Sequence, residues 1–389
     1  MKNNKIRRAL LWAAASLGAL CILAAFCAIM WINHGRIILN YDDMGVPYSH
    51  VYSEEQTNSR LAEDMIVFGD RLYVGCGDYD ANTGPVYVTY FDTKTHRRSD
   101  SLIPLPDEQI KRFCLLDGKL AILGTDQMGN AELGNYYLLE GEEWKTLDVL
   151  PGAIHCFDAA EFDGKTFFGL GVSHPNSPIA ALEDGKYRQV PIRKNGEALD
   201  TSAHEIIRVY NFFVYNERLF AFLTLDQKDE NGETVGYFME LYTYSGDGFE
   251  YVFGALPAED LRQVAVDGNE AYIIIRDTLL KTSDLAEFSA VRLGRGTVAS
   301  DIAEEDGVIY LLAWRKLGSR YESMVLEKTD GGFKKRFGII TKAPANSFCK
   351  DGDVFYISLG IRDLPSPDSG RVVAVDEMPR LNDDWRHRG

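Results

Sequence analysis

The stretch CLLDGKLAILG, Cys114 to Gly124, sets two short apolar runs either side of an Asp-Gly pair, and the chain returns to that phrase again and again. It appears as VFGDRLYVG around Gly69, LLDGKLAILG around Gly118, EFDGKTFFGLG around Gly164 and VYNERLFAFLT around Glu217. It comes back as AVDGNEAYIII around Gly268, EEDGVIYLLAW around Gly307 and CKDGDVFYISLG around Gly352. The intervals are 49, 46, 53, 51, 39 and 45 residues, averaging about 47. A period of this length is the sequence sign of propeller blades, one four-stranded sheet to each period.

The local chemistry agrees with that period. Asp-Gly and Asn-Glu suit a two-residue hairpin, whose central positions take positive φ. The run after each turn, such as LAILG or IYLLAW, is almost wholly apolar. A strand covered on both faces by neighbouring sheets loses its polar alternation. Each period then closes on a second hairpin with a polar turn. In most of them an aromatic follows that turn, namely Trp144, Tyr187, Phe249, Phe288 and Phe333, placed to wedge between adjacent blades.

After DVFYISLG the chain offers one further strand, RVVAVD, before a polar tail. A closed ring then needs a strand from the other terminus. RIILNY and SHVYSE, in the segment ahead of the first full repeat, are the two candidates.

From about residue 60 to 376 the chain resembles seven-bladed propellers of the kelch or Asp-box (sialidase-like) kind. Where the kelch pattern puts a Gly-Gly doublet after the second strand, this chain has GCG at Gly75 to Gly77 and a lone Gly124. The Asp-box is echoed by SGDGFE at Ser245 to Glu250 and by TSDLAEF. The Phe-Arg-Ile-Pro motif of sialidases is absent, and so are the Trp-Asp and Gly-His signatures of WD repeats.

The N-terminus is of another character. Lys2, Lys5, Arg7 and Arg8 precede an uncharged run, Ala9 to Ile32, of 24 residues. As a helix it would measure about 36 Å, enough to cross a hydrocarbon core of about 30 Å. Trp12 and Trp31 lie near its ends, where interfacial aromatics belong. Apolar residues continue through AIMWI, where a cleaved signal would turn polar ahead of its cut site, which favours a signal anchor over a cleaved signal peptide. The basic flank holds the N-terminus in the cytoplasm and exports the remainder.

The expected organisation is a cytoplasmic segment 1–8, a transmembrane anchor 9–32, a juxtamembrane segment 33–60 with the ring-closing strand, a propeller 61–376 and a tail 377–389. The fold class is all-β after a single N-terminal helix. Residues 1–36 hold five basic side chains and no acids, while the whole chain carries −17. The exported part is therefore strongly acidic, which argues against nucleic acid or an anionic lipid surface as its partner. Cys76, Cys114, Cys156 and Cys349 have neither CxxC spacing nor a compact disulfide pattern and read as buried thiols in strands, the alternative that export permits being one bridge among them.

Propeller geometry puts the short, uniform turns on one face and the long, varied loops on the other. The latter are residues 76–85, 124–134, 171–178, 225–236 and 360–370, and function is expected there. At the start of the innermost strands stand Arg112, His155, Arg208, Arg262 and Asp301. Three arginines in one funnel would hold a carboxylate or sulfate, unless neighbouring acids neutralise each of them.

Asp78, Asp80 and Asn82 space oxygen ligands as calcium requires, and Asp226, Asp229, Asn231 and Glu233 form a second acidic loop; solvated turns meet the same pattern. No other cofactor is expected. HEIIR, at His204 to Arg208, has Arg where a zincin needs its second His. Neither a nucleophile elbow nor a phosphate loop occurs. For a sialidase-like mechanism Tyr210, Glu205 and Asp301 are the nominees. The chain is expected to bind a protein or glycan at the cell envelope without catalysis, the alternative being a carbohydrate-active enzyme acting on acidic sugars.

Overall fold

A computed structural model describes residues 36–376 except 39, 129–132, 173–175, 258–260 and 363, and before them only residues 16, 18 and 20–22. The anchor run Ala9–Ile32 thus lies largely outside the described residues, as do the cytoplasmic segment and the tail. Among the described residues no helix is long and apolar enough to cross a membrane.

The regular elements of the described chain are almost all strands, gathered into four-stranded antiparallel units. Their innermost strands, in chain order, are Met65–Phe68, Asp107–Leu116, Ala153–Phe162, Ile207–Tyr215, Leu261–Asp267, Thr297–Glu305 and Ala345–Asp351. Each touches the next, and the last touches the first, so the inner strands close a ring.

The repeated phrase is the hairpin between the first and second strands of each unit. Asp117 and Gly118, Asp163 and Gly164, Asn216 and Glu217, and Asp306 and Gly307 all have positive φ at both central positions, the type I′ geometry. In the first, fifth and last units the glycine comes first instead, at Gly69, Gly268 and Gly352, and it alone has positive φ. The second strands are the most buried. Leu120, Ala121, Ile122 and Leu123, like Ile273 and Ile274, are fully enclosed between neighbouring sheets.

The aromatics after the second polar turns each pack on the preceding unit. Trp144 sets its edge on Tyr73 at 6.0 Å, and the Tyr187 and Tyr136 hydroxyls meet at 2.6 Å. Phe249 stands against Phe167 at 5.8 Å, Phe288 against Phe253 at 5.7 Å and Phe333 against Tyr272 at 5.3 Å. These edge-to-face and tilted pairs lock successive sheets together beyond simple area burial.

The outermost strand of the last unit comes from the N-terminal segment. Asp42–Gly45 pairs antiparallel with Val372–Asp376, and Arg371 clasps the Asp43 carboxylate at 2.6 and 2.8 Å. These residues lie between the two stretches the sequence offers for that role. Arg36 and Ile37, from RIILNY, instead add a parallel edge to the sixth unit beside Phe337 and Gly338. SHVYSE forms turns that bury Tyr52, and neighbouring Tyr48 donates to the Val74 carbonyl. The ring is joined at that seam by both termini of the described chain.

Candidate functional site

A cavity of about 440 Å³ opens at the centre of the ring. Its walls are the starts of the innermost strands and Tyr237 from the Thr234–Tyr244 strand, with Tyr79 and Asp80, and Ile361 and Arg362, from two of the long-loop segments. The volume falls within the range of small-ligand pockets, about 300–1,000 Å³. The cavity therefore lies on the face where the loops are long and varied.

One position recurs at the hub. Five residues before the first residue of each hairpin turn stand Asp64, Arg112, Asp158, Asn211, Gln263, Asp301 and Ser347, one from each unit, and of these Asp64, Arg112, Gln263, Asp301 and Ser347 line the cavity. In every unit but the first, the pairing of the inner strand slips beside this position. A bulge of this kind bends the strand and re-aims a side chain.

Three of these residues are clasps between units. Asp64 accepts the Phe113 main-chain N–H at 2.7 Å, Asp158 that of Phe212 at 2.6 Å, and Asp301 that of Phe348 at 3.0 Å. Arg112 reaches Asp158 at 2.8 Å and donates to Gln263 at 2.9 Å, bridging the second unit to the third and the fifth. Burial pushes the Asp64 carboxyl up to about 7, against the Phe113 amide and the Arg112 guanidinium. Burial likewise raises Asp158 and Asp301, opposed chiefly by Arg112 for the first and by the Phe348 amide for the second.

One residue earlier in the second and fifth units stand Lys111 and Arg262, with Arg208 two residues before Tyr210 in the fourth; all three line the cavity. Among the described residues none of the three has a carboxylate within 4.0 Å. The Lys111 ammonium instead sits among rings, 5.5 Å from Tyr210, 5.7 Å from Phe157 and 6.0 Å from Tyr79. Arg208 donates to the Tyr210 hydroxyl at 3.0 Å and lies 5.8 Å from the Phe157 ring. Aromatic faces attract such cations without neutralising them. Unpaired cations are unexpected in a chain with 58 acids against 41 bases.

Of the residues singled out from sequence, Arg112, Arg208, Arg262 and Asp301 do converge on this cavity. They play different parts there. Arg112 is neutralised by Asp158, and Asp301 is a clasp. His155 is buried beside the cavity and not on its surface. Its Nδ1 lies 3.1 Å from Asp126, and burial lowers its pKa against the pull of that carboxylate.

Arg362 reaches Asp78 and Asp80 at 3.0 Å each, so an arginine already joins the two carboxylates of the first acidic loop. Asn82 adopts a left-handed φ of 50° just after a 3₁₀ turn. In the second loop Asp229 accepts the Asn231 and Glu233 amides at 2.9 Å each, and buried Asp226 faces His204 at 3.2 Å. Among the described residues no group of three or more His, Cys, Asp or Glu is placed to hold a metal ion. Glu205, nominated with Tyr210 and Asp301, stays exposed beside Lys228 and does not line the cavity.

Lys111, Glu63, Asp64, Tyr79 and Tyr237 also line the cavity and were not singled out from sequence. Aligning the repeats on their turns would have found Glu63, Asp64 and Lys111, because they fall at fixed offsets ahead of it. Tyr79 arrives from a long loop whose path no repeat dictates, and Tyr237 from the strand that follows another such loop.

The class defined by these features is an all-β, propeller-like fold with a polar cavity at its hub. Neither a family model nor a curated protein sequence matches the chain. Solved structures do. The chain is similar to BBS1N in its complex with ARL6DN, at 11% identity and a TM-score of 0.50, covering 89% of this chain and 99% of that one. It is also similar to the β-propeller domain of the Trilobed protease from Pyrococcus furiosus, at 10% identity and a TM-score of 0.45, over 81% of this chain and 94% of that one. A third is oligogalacturonate lyase in complex with manganese, at 8% identity and a TM-score of 0.43, over 68% and 81%. At these identities the likeness is one of fold alone.

Proposed function

We propose that the chain is a membrane-anchored, extracytoplasmic seven-bladed propeller that binds a protein- or glycan-borne group in its hub cavity without catalysis. The blades are degenerate relatives of the kelch or Asp-box kind, and Ser245–Glu250 is the turn nearest the latter. The basic N-terminal flank and the 24-residue apolar run support the anchor and its orientation. One observation carries the binding reading. The cavity acids Asp64 and Asp301 are engaged as clasps to main-chain amides, while the lining cations Lys111, Arg208 and Arg262 have no carboxylate within 4.0 Å among the described residues.

The test is a thermal-shift screen of the full-length protein against amino acids, dipeptides, uronates, sialates, sulfated sugars and calcium with a chelator control. A ligand at 100 times its Kd adds about 2.7 kcal/mol to native stability. A shift that disappears in Arg262→Gln supports the cavity as the site. A shift untouched by Arg208→Gln and Arg262→Gln places the ligand elsewhere and ends this reading. Calcium at Asp78, Asp80 and Asn82 would have to displace Arg362, and a chelator-sensitive midpoint would support it. Proteolysis of the propeller on intact cells supports the proposed orientation; protection until lysis contradicts it.

A second reading, a hydrolase or lyase acting on acidic sugars, draws on Asp64. A carboxyl near 7 beside a second acid is the pattern of a general acid and its partner. Turnover of an oligouronate that Asp64→Asn abolishes would favour it over the binding reading.

A further inference from the structure

The charges in the hub cavity are sorted around the ring. Lys111, Arg208 and Arg262 come from the second, fourth and fifth units, which form one arc. Asp301, Glu63 and Asp64 come from the sixth and first units, which flank the last unit on the opposite arc. The one cation lining that side among the described residues, Arg362, is already bound to Asp78 and Asp80. Glu63 has no cation within 4.0 Å among the described residues. Asp64 and Asp301 each spend their short contacts on main-chain amides and keep lone pairs to spare. On the acidic arc Arg362, which also feels the Glu63 charge, is outnumbered by Glu63, Asp64, Asp78, Asp80 and Asp301, while the basic arc holds its three cations with no carboxylate within 4.0 Å among the described residues.

From this we infer that the ligand is a zwitterion, an amino acid or short peptide with free termini, lying across the cavity with its carboxylate toward Arg208, Arg262 and Lys111 and its ammonium toward Glu63, Asp64 and Asp301. The inference rests on the binding reading above and names its ligand class. A simple anion such as a uronate satisfies one arc only and leaves the acids facing their like. A zwitterion gives both arcs charge-assisted hydrogen bonds, roughly twice as strong as neutral ones. It adds no net charge to a low-dielectric cavity, where an uncompensated ion is costly. The Tyr79 and Tyr237 rings in the wall offer faces to an apolar side chain between the two ends.

The test is calorimetric titration of the full-length protein at neutral pH with alanyl dipeptides covering every second residue type. The best binder is then compared in three forms: free, N-acetylated, and as its C-terminal amide. The free form is expected to bind, and either cap to weaken binding tenfold or more. Glu63→Gln should narrow the gap between the free and acetylated forms, and Arg262→Gln that between the free form and the amide. If the acetylated form binds as well as the free one, the ammonium half is wrong and the ligand is a plain anion, with the cavity reading intact. If a uronate binds in Arg262-dependent fashion while no dipeptide does, the zwitterion is likewise overturned. If neither binds, the zwitterion inference and the cavity reading fall together.

Discussion

The Arg112 guanidinium lies 2.8 Å from the Asp158 carboxylate across the boundary between two units, and the same side chain donates to Gln263 at 2.9 Å on the far side of the hub. Burial works against the charge of Arg112, yet the Asp158 and Asp64 carboxylates raise its guanidinium above the ordinary arginine value. This pair is a hub fastener. Removing one partner leaves the other charged and buried, which costs about 3–5 kcal/mol. Arg112→Met is therefore expected to lower stability by that amount in urea unfolding. A loss under 1 kcal/mol would show that the pair is not a fastener.

Asp64 makes stability depend on pH in an unusual direction. Its unfolded pKa is near 3.9 and its folded value about 7, so over that range the folded protein holds more protons. The group stabilises at low pH, and the contribution drains away as pH rises from about 4 through about 7. Asp64→Asn should gain on the wild type between about pH 5 and about pH 8, by no more than about 1.4 kcal/mol per pH unit. A difference that stays constant over that range contradicts the shift.

The repeated turn is a matter of backbone conformation and not of space. Gly118 has φ +69°, and a Cβ there would meet nothing within 4 Å. Gly118→Ala should still cost about 1–2 kcal/mol, the price of the left-handed conformation alone. An unchanged midpoint in chemical unfolding would mean that the turn relaxes to another type.

Ring closure depends on a segment far from the strand it covers. Without Asp42–Gly45, the Val372–Asp376 strand becomes an open apolar edge, the kind that recruits other chains. Deleting residues 36–46 should shift the protein to higher-order species in size-exclusion chromatography. A monodisperse deletion variant with an unchanged midpoint would show that closure is dispensable.

Much of this fold was legible in the sequence because the repeat is written in local chemistry. Asp117-Gly118 and Asp163-Gly164 state their turn outright, and Trp144 or Phe249 marks where one sheet meets the next. The closing strand was harder, since DDMG carries no strand signal and pairs only because Arg371 and the Val372–Asp376 edge await it. In the site, the arginines were visible, but their partners were not. Arg112 and Arg262 look alike in sequence and both inner strands carry the bulge; Arg112 stands just after its bulge, where it reaches Asp158, and Arg262 one place earlier, with no carboxylate within 4.0 Å among the described residues. Lys111 shares its offset from the turn with Arg262, but its setting of three rings from three units is a relation of space that the offset does not record.

That distinction gives the most direct measurement: unfolding midpoints of the wild type, Arg112→Gln and Arg262→Gln, each with and without the best ligand from the screen. The expected result is that Arg112→Gln loses stability outright, while Arg262→Gln keeps the wild-type midpoint and loses the shift on adding ligand. An Arg262→Gln protein that unfolds as easily as Arg112→Gln, or that still responds fully to the ligand, would contradict a hub cavity whose free cations are there to bind.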